Sequence, residues 1–221
     1  MSTLVRNISS SKGKAVVNAS SFHKRHAVKL RATDSELLKT NSQSFLGEDD
    51  FLVAFWYRFW GSSFNAPFKT GTALGGRANA SNGSFRYNWG SSSPLDTTIA
   101  GNDGEWHFIS INIDQDGDMT IRQDINGDAT GPGETVSVDI SGVSSQDLDS
   151  EDFIWGEDED IELNEIMLFK NWSAFSDGYH VALHQTTLLR NPQGLLNNGA
   201  IPDPDWYWRL NEGINNAANT Y

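Results

Sequence analysis

The chain has 221 residues, no cysteine, and 16 Lys+Arg against 29 Asp+Glu, for a formal net charge of −13. A length of that order suits a single all-β domain that buries roughly 70% of its unfolded surface and folds without staples. Zero cysteines exclude disulfide scaffolds, cysteine zinc sites, iron–sulfur clusters and thiol catalysis, and the negative charge argues against nucleic acid as a partner.

The N-terminus, Met1-Ser2-Thr3-Leu4-Val5-Arg6, leads into Ser, Lys and Asn without the apolar core of a secretory signal, so folding in a cytosol is expected. Residues 1–32 carry seven basic side chains, Arg6, Lys12, Lys14, Lys24, Arg25, Lys29 and Arg31, and no acidic one. Residues 101–165 carry nineteen acidic side chains against Arg122 alone. Separation on this scale steers docking between complementary surfaces, the alternative being a solvated tail beside a solvated acidic face. We take residues 1–26 as an extended basic arm, 27–196 as the body and 197–221 as a C-terminal extension.

In chain order, Phe51-Leu-Val-Ala-Phe-Trp-Tyr-Arg-Phe-Trp60 is too aromatic and β-branched for a surface helix. As a strand it places Phe51, Val53, Phe55, Tyr57 and Phe59 on one face and Leu52, Ala54, Trp56, Arg58 and Trp60 on the other, so it is predicted to be central and covered on both sides. Residues 61–104, rich in Gly, Ser and Asn, predict short strands joined by long turns. Residues 106–113 alternate with His107, Ile109, Ile111 and Ile113 on one face, turn through Asp114–Asp118, and return along Met119, Ile121, Gln123 and Ile125, a hairpin pattern. Further strands are predicted at 135–140, near 152–155 and at 161–169, the last alternating Ile161, Leu163, Glu165, Met167 and Phe169 against Glu162, Asn164, Ile166 and Leu168. Ser176-Asp177 caps the one predicted helix, which ends before Asn191-Pro192. The pattern is all-β, an antiparallel two-sheet sandwich with one short helix near the C-terminus.

Four segments carry a family resemblance in their order and spacing. They are the aromatic strand at Phe51–Tyr57 after Glu48-Asp49-Asp50, Gly104-Glu105-Trp106-His107-Phe108-Ile109 with its acidic turn and Asn126-Gly127, the late strand Glu162–Phe169, and the helix after Ser176-Asp177. Together, over roughly residues 27–196, they resemble the laminin-G-like, concanavalin A-like jelly roll. Trp206-Tyr-Trp-Arg-Leu-Asn-Glu-Gly213 resembles the opening strand of such a domain, either completing this sandwich or pairing with a neighbour. The resemblance implies a scaffold shared by lectins, glycosidases and structural modules, so function must be argued from sites.

Asp158, Asp160 and Glu162 share a strand face at the period-2 spacing a retaining glycosidase needs for its two carboxylates, about 5 Å apart. The glucanases of this fold carry Glu-x-Asp-x-Glu, and this chain lacks the first Glu, while Glu162-Leu-Asn164-Glu165 has Asn where Asp is required, so no enzymatic activity is expected. Asp114, Asp116 and Asp118 imitate the start of a calcium loop and are the metal candidates, although the twelfth loop position is Ile125 rather than Glu. His180 and His184, four apart on the helix, have zinc-ligand spacing without a third ligand and are expected to be surface or packing residues. Trp60, Trp89 and Trp155, with Trp172, are candidates to stack on sugar rings, against the alternative of core aromatics.

Proteins resembling this family occur among bacteriophage virion components, which are made in a cytosol and leave by lysis. The expected function is therefore a non-enzymatic virion module, a capsid decoration protein or a tail or neck accessory. It would dock on other virion proteins such as a major capsid protein through Arg6, Lys12, Lys14, Lys24 and Arg25, and form a homo-oligomer. The alternative is a carbohydrate-binding module for a host glycan, with calcium as the one conceivable cofactor and no membrane partner.

Overall fold

A computed structural model describes residues 27–30, 38–40, 46–59, 67–71, 73–78, 83–149, 151–156, 160–172, 174–188 and 201–208. Strands β1 (Val28–Leu30), β2 (Leu38–Thr40) and β3 (Phe51–Phe59) are followed by β4 (Phe68–Thr70), β5 (Leu74–Ala78), β6 (Phe85–Trp89) and β7 (Leu95–Asp96). The second half contributes β8 (Trp106–Ile113), β9 (Asp118–Ile125), β10 (Pro132–Asp139), β11 (Phe153–Trp155), β12 (Ile161–Lys170), helix α1 (Asp177–Leu188) and β13 (Trp206–Trp208). One sheet runs β1-β12-β3-β8-β9-β10, with β13 also on β12, and the other runs β2-β11-β4-β5-β6-β7. All described pairings are antiparallel.

The first sheet has layers on both sides, as the composition of β3 requires. Phe51, Val53, Phe55, Tyr57 and Phe59 point between the sheets, where they join Phe68, Phe85, Trp89, Phe153 and Trp155 in one apolar core. Leu52, Ala54 and Trp56 point the other way and meet Trp106, Phe108, Phe169, Trp172, Phe175 and Leu183 beneath α1. Burial of each such side chain contributes roughly 1.5–3 kcal/mol. Trp56 also donates its indole N–H to Thr187 Oγ1 at 2.8 Å, which fixes the helix to the strand.

The simple alternation predicted for 161–169 is corrected at one point. The register of β12 on β3 shifts between Asn164 and Met167, and Glu165 adopts a left-handed backbone, φ 50°. This bulge adds one residue to the count, so Ile161, Leu163, Ile166 and Leu168 all reach the inter-sheet core while Met167 and Phe169 face the helix. The far edge of β12 is shared end to end, β1 pairing before the bulge and β13 after it, and Tyr207 donates its hydroxyl to the buried Glu165 carboxylate at the junction. The Trp206–Trp208 strand thus pairs within its own sandwich.

The hairpin turn after β9 holds Ala129 at φ 57°, with its N–H bonded to Asn126 O at 2.9 Å. A left-handed backbone costs a β-carbon about 1–2 kcal/mol, of which glycine's extra unfolded-chain entropy returns part. Ala129→Gly is expected to raise stability by about 0.5–1 kcal/mol in urea unfolding, net of those two effects.

Candidate functional site

Both ends of the sandwich concentrate charge, in different ways. At the end where β3 begins, the turn before β3, the β8–β9 turn and the loop after β10 are laced together by Gln115. Its backbone N–H donates to Asp50 Oδ1 at 2.9 Å, its side-chain amide donates to Asp49 O and Gln146 O, and its Oε1 accepts from Gln146 N at 2.6 Å. Asp149 accepts from Gly47 N, and Lys170 pairs with Asp49 at 2.7 Å. Burial and the neighbouring Asp114, Asp116 and Asp49 carboxylates raise the pKa of Asp50, against the Gln115 hydrogen bond that lowers it.

The calcium candidates belong to this end. Asp114 closes a tight turn with its own backbone, taking Gly117 N and donating to Asp118 O, while Asp116 and Asp118 are exposed and Asp118 sits opposite Asp139 on β10. Among the described residues no group of three His, Asp or Glu side chains is placed to hold a metal ion. The Asp-x-Asp-Gly-Asp spacing is that of the β8–β9 hairpin turn.

The sugar-stacking expectation is also corrected. Trp89 and Trp155 are 0% and 1% exposed, between the sheets. Trp89 packs on Phe51, and Trp155 on Phe55 and Phe68, so neither ring has a face for a ligand. Trp172 is likewise buried, against Phe169, Phe175 and Tyr179. Trp60 lies outside the described residues, as do Arg6, Lys12, Lys14, Lys24 and Arg25.

Of the acidic strand, Asp158 is outside the described residues and Asp160 is exposed. Glu162 is held by Arg58 at 2.7 Å, whose guanidinium lies 5.4 Å from the Trp106 ring. Glu165, on the bulge, is fully buried and taken by Tyr207.

The opposite end carries a polar network that no sequence motif announces. His107 is 7% exposed, stacked on Tyr57, with Nδ1 2.7 Å from Asp124 Oδ2 and Nε2 2.9 Å from Asp103 Oδ1. Burial disfavours the imidazolium, but the two carboxylates outweigh it and push the pKa up to about 10. Asp124, at φ 54°, also accepts from Phe108 N through Oδ1 and offers its backbone carbonyl to His180 Nε2 at 2.7 Å. His180 Nδ1 meets the Ser110 hydroxyl at 2.7 Å, and burial drives this second imidazole down to about 3. With Nε2 donating to a carbonyl, Nδ1 accepts from Ser110, and this hydroxyl–imidazole pair is sealed from solvent beneath α1. His184 packs between Trp56 and Phe108. The i, i+4 histidines are therefore packing residues of the helix–sheet seam. One signal for the network was available, a histidine on the inward face of an otherwise apolar strand.

Arg122 completes the seam. It donates to Asp177 Oδ1 at 2.7 Å and to Phe175 O at 3.3 Å, with its guanidinium 5.2 Å from the Phe175 ring. Asp177 in turn sits in the first helical turn, where a carboxylate complements the helix dipole. The outer face of the second sheet carries no such layer among the described residues. There Lys69, Arg86, Asn88 and Ile154 are partly exposed around Gly75 and Gly76, and Arg86 is bidentate to Asp96.

Two layered antiparallel sheets in this strand order, with the helix on one outer face, decide the architecture. The fold is a concanavalin A-like jelly roll. Among solved structures, the jelly roll is similar to that described as the HCR/D W1238A mutant, at 14% identity and a TM-score of 0.54, covering 81% of this chain and 46% of that one. It is also similar to the receptor-binding domain of botulinum neurotoxin mosaic serotype C/D, at 13% identity and a TM-score of 0.51 over 74% of this chain and 43% of that one. Domains LG4-5 of the mouse laminin alpha1 chain match at 16% identity and a TM-score of 0.49, over 72% of this chain and 46% of that one. This chain thus spans less than half the length of each of the three. No family model and no curated protein matches the sequence. No described helix is long and apolar enough to cross a membrane.

The two histidines give opposite pH dependences. His107 binds its proton more tightly when folded, so its contribution is complete below its ordinary value of 6.5 and is lost as pH rises through about 10. His180 resists protonation when folded, so its contribution is complete above 6.5 and falls away as pH drops toward about 3. Urea unfolding across pH is expected to show a maximum near neutrality. His107→Gln should flatten the alkaline limb by a few kcal/mol and leave the acid limb in place.

Proposed function

We propose that the chain is a non-enzymatic interaction module, and within that class a virion component of the capsid-decoration or tail- or neck-accessory kind, docking on other virion proteins through its basic arm and sandwich surface. The opposition of charges carries the reading. Seven basic and no acidic side chains stand in residues 1–32, against an acidic end of the body where Asp49, Asp50, Asp114, Asp116, Asp118 and Asp139 gather on neighbouring turns and strand ends. The state of the titratable groups supports the non-enzymatic part. Glu162, Glu165, Asp124 and Asp177 are engaged with Arg58, Tyr207, His107 and Arg122, and the Ser110–His180 pair is shut away from substrate.

A glycan-binding reading finds support in the open outer face of the second sheet, where Lys69, Arg86 and Asn88 surround Gly75 and Gly76. With Trp89 and Trp155 in the core, a sugar on that face would be held by hydrogen bonds and charge rather than by those rings.

Immunogold labelling, with an antibody against this chain, of particles made by the cells that carry its gene is expected to decorate those particles; unlabelled particles would remove the virion reading. Deletion of residues 1–26 should leave the far-UV circular dichroism unchanged and weaken attachment to the particle, most of all at low salt where cationic contacts are least screened. The purified chain is expected to release no reducing ends from β-glucans. Hydrolysis abolished by Glu162→Gln would overturn the non-enzymatic assignment.

A further inference from the structure

Strand β10 closes the first sheet, and among the described residues no strand lies beyond it. Its eight residues, Pro-Gly-Glu-Thr-Val-Ser-Val-Asp, alternate between half-buried and exposed. Val136 and Val138 pack against the inter-sheet core yet remain partly uncovered. An unpaired edge of this length usually carries lysine or a mid-strand proline as protection, and here Pro132 at its start is the single such device. At the other end of the strand Asp139 stands directly opposite Asp118 on β9, and like charges in that position destabilise a strand pair. The Glu134 carboxylate is engaged with Thr98 and Ile99 of the neighbouring loop and the Thr135 hydroxyl donates to Asp177 Oδ1 at 3.5 Å, which leaves Val136 to Asp139 as the open part of the edge among the described residues.

We propose that residues 14–21 of the basic arm of one copy add as an antiparallel strand along β10 of a second copy. The sequence Lys-Ala-Val-Val-Asn-Ala-Ser-Ser matches that edge in one register. With Lys14 opposite Asp139, the residues Ala15, Val17 and Ala19 fall opposite Val138, Val136 and Glu134 on the side facing the core. Lys14, Val16, Asn18 and Ser20 fall on the outer side, where Lys14 meets the Asp118–Asp139 pair and Lys12 lies just beyond. The added strand would cover the exposed flanks of Val136 and Val138 and supply the positive charge the strand end lacks. A second copy of β10 in the same place would bring further carboxylates and no cation, which makes the arm the better occupant.

Reach decides between a chain's own arm and that of another copy. Val28 pairs with Leu163, Leu163 with Tyr57 and Tyr57 with His107, while Pro132 pairs with Ile125, two residues past the Gln123 that stands opposite Ile109, so Val28 and Pro132 lie at the same end of the sheet. In the register above Ser21 is level with Pro132. The seven steps from Ser21 to Val28 extend at most about 25 Å, whereas a strand beyond β10 is six spacings of about 4.8 Å from β1, a path of about 29 Å measured along the sheet. A segment shorter than that path favours the edge of another copy over its own.

This inference rests on the proposed reading of the arm as a docking element, and it is read on the purified chain, so its failure and a failure of particle labelling are separate results. Because the chain has no cysteine, single substitutions report cleanly. Full-length Val17→Cys mixed with full-length Val136→Cys and oxidised is expected to give several-fold more disulfide-linked dimer than Val17→Cys mixed with Ser93→Cys, a control on an exposed turn of the other sheet. The yield should fall several-fold at about 1 M salt, where the screening length is about 3 Å. Equal yields for the two mixtures would overturn the proposal. The double variant carrying Val17→Cys and Val136→Cys, oxidised at high dilution, is expected to stay uncross-linked, and a cross-linked monomer would overturn the exchange.

Discussion

A strand that is apolar on both faces cannot stop at a single sheet, and β3 imposes that condition on everything around it. Its odd-numbered residues from Phe51 to Phe59 demand a second sheet to close the core, and Leu52, Ala54 and Trp56 demand a layer on the far side. The helix and the segment around Trp172 and Phe175 meet the second demand. The remaining features, the bulge in β12 included, are arrangements that let neighbouring strands keep their apolar residues against β3 on both sides.

Placing a helix over a sheet leaves polar groups at the seam, and Asp124 resolves most of them. In its left-handed conformation its two carboxylate oxygens serve His107 and the Phe108 N–H, while its carbonyl serves His180. The two imidazoles on either side of it have opposite protonation states because their surroundings differ. Burial disfavours the charged form of both; for His180 it prevails, with Arg122 adding to it, while for His107 the Asp103 and Asp124 carboxylates outweigh it. The partnered groups of such a buried network favour one packing arrangement over its alternatives, because each would be left unsatisfied in any other.

These networks use up groups that resemble catalytic or metal-binding sites in the sequence, and they redirect attention to the surface. Among the described residues, what remains outward is an acidic end built from three neighbouring turns, a strand edge at β10 and a glycine-floored face on the second sheet. Such surfaces suit recognition, where charge complementarity steers encounter and strand edges supply register.

The sequence by itself determined the fold class, the doubly covered β3, the β8–β9 hairpin and the helix beginning at Asp177, because alternation and turn residues encode which face of a local element is apolar. It also placed the opposed charges of arm and body, which need only counting. The tertiary structure alone decided what the aromatic and ionisable residues do. Trp89 and Trp155 look the same in sequence whether they line a cleft or a core, and only the approach of the second sheet buries them. Glu165 breaks a clean alternation because β12 must serve β1 and β13 on one side and β3 on the other, a condition set by strands distant in the chain. His180 is kept neutral by burial and His107 is kept charged by Asp103 and Asp124 in spite of it, and no spacing rule relates residues brought together by the folding of one layer onto another.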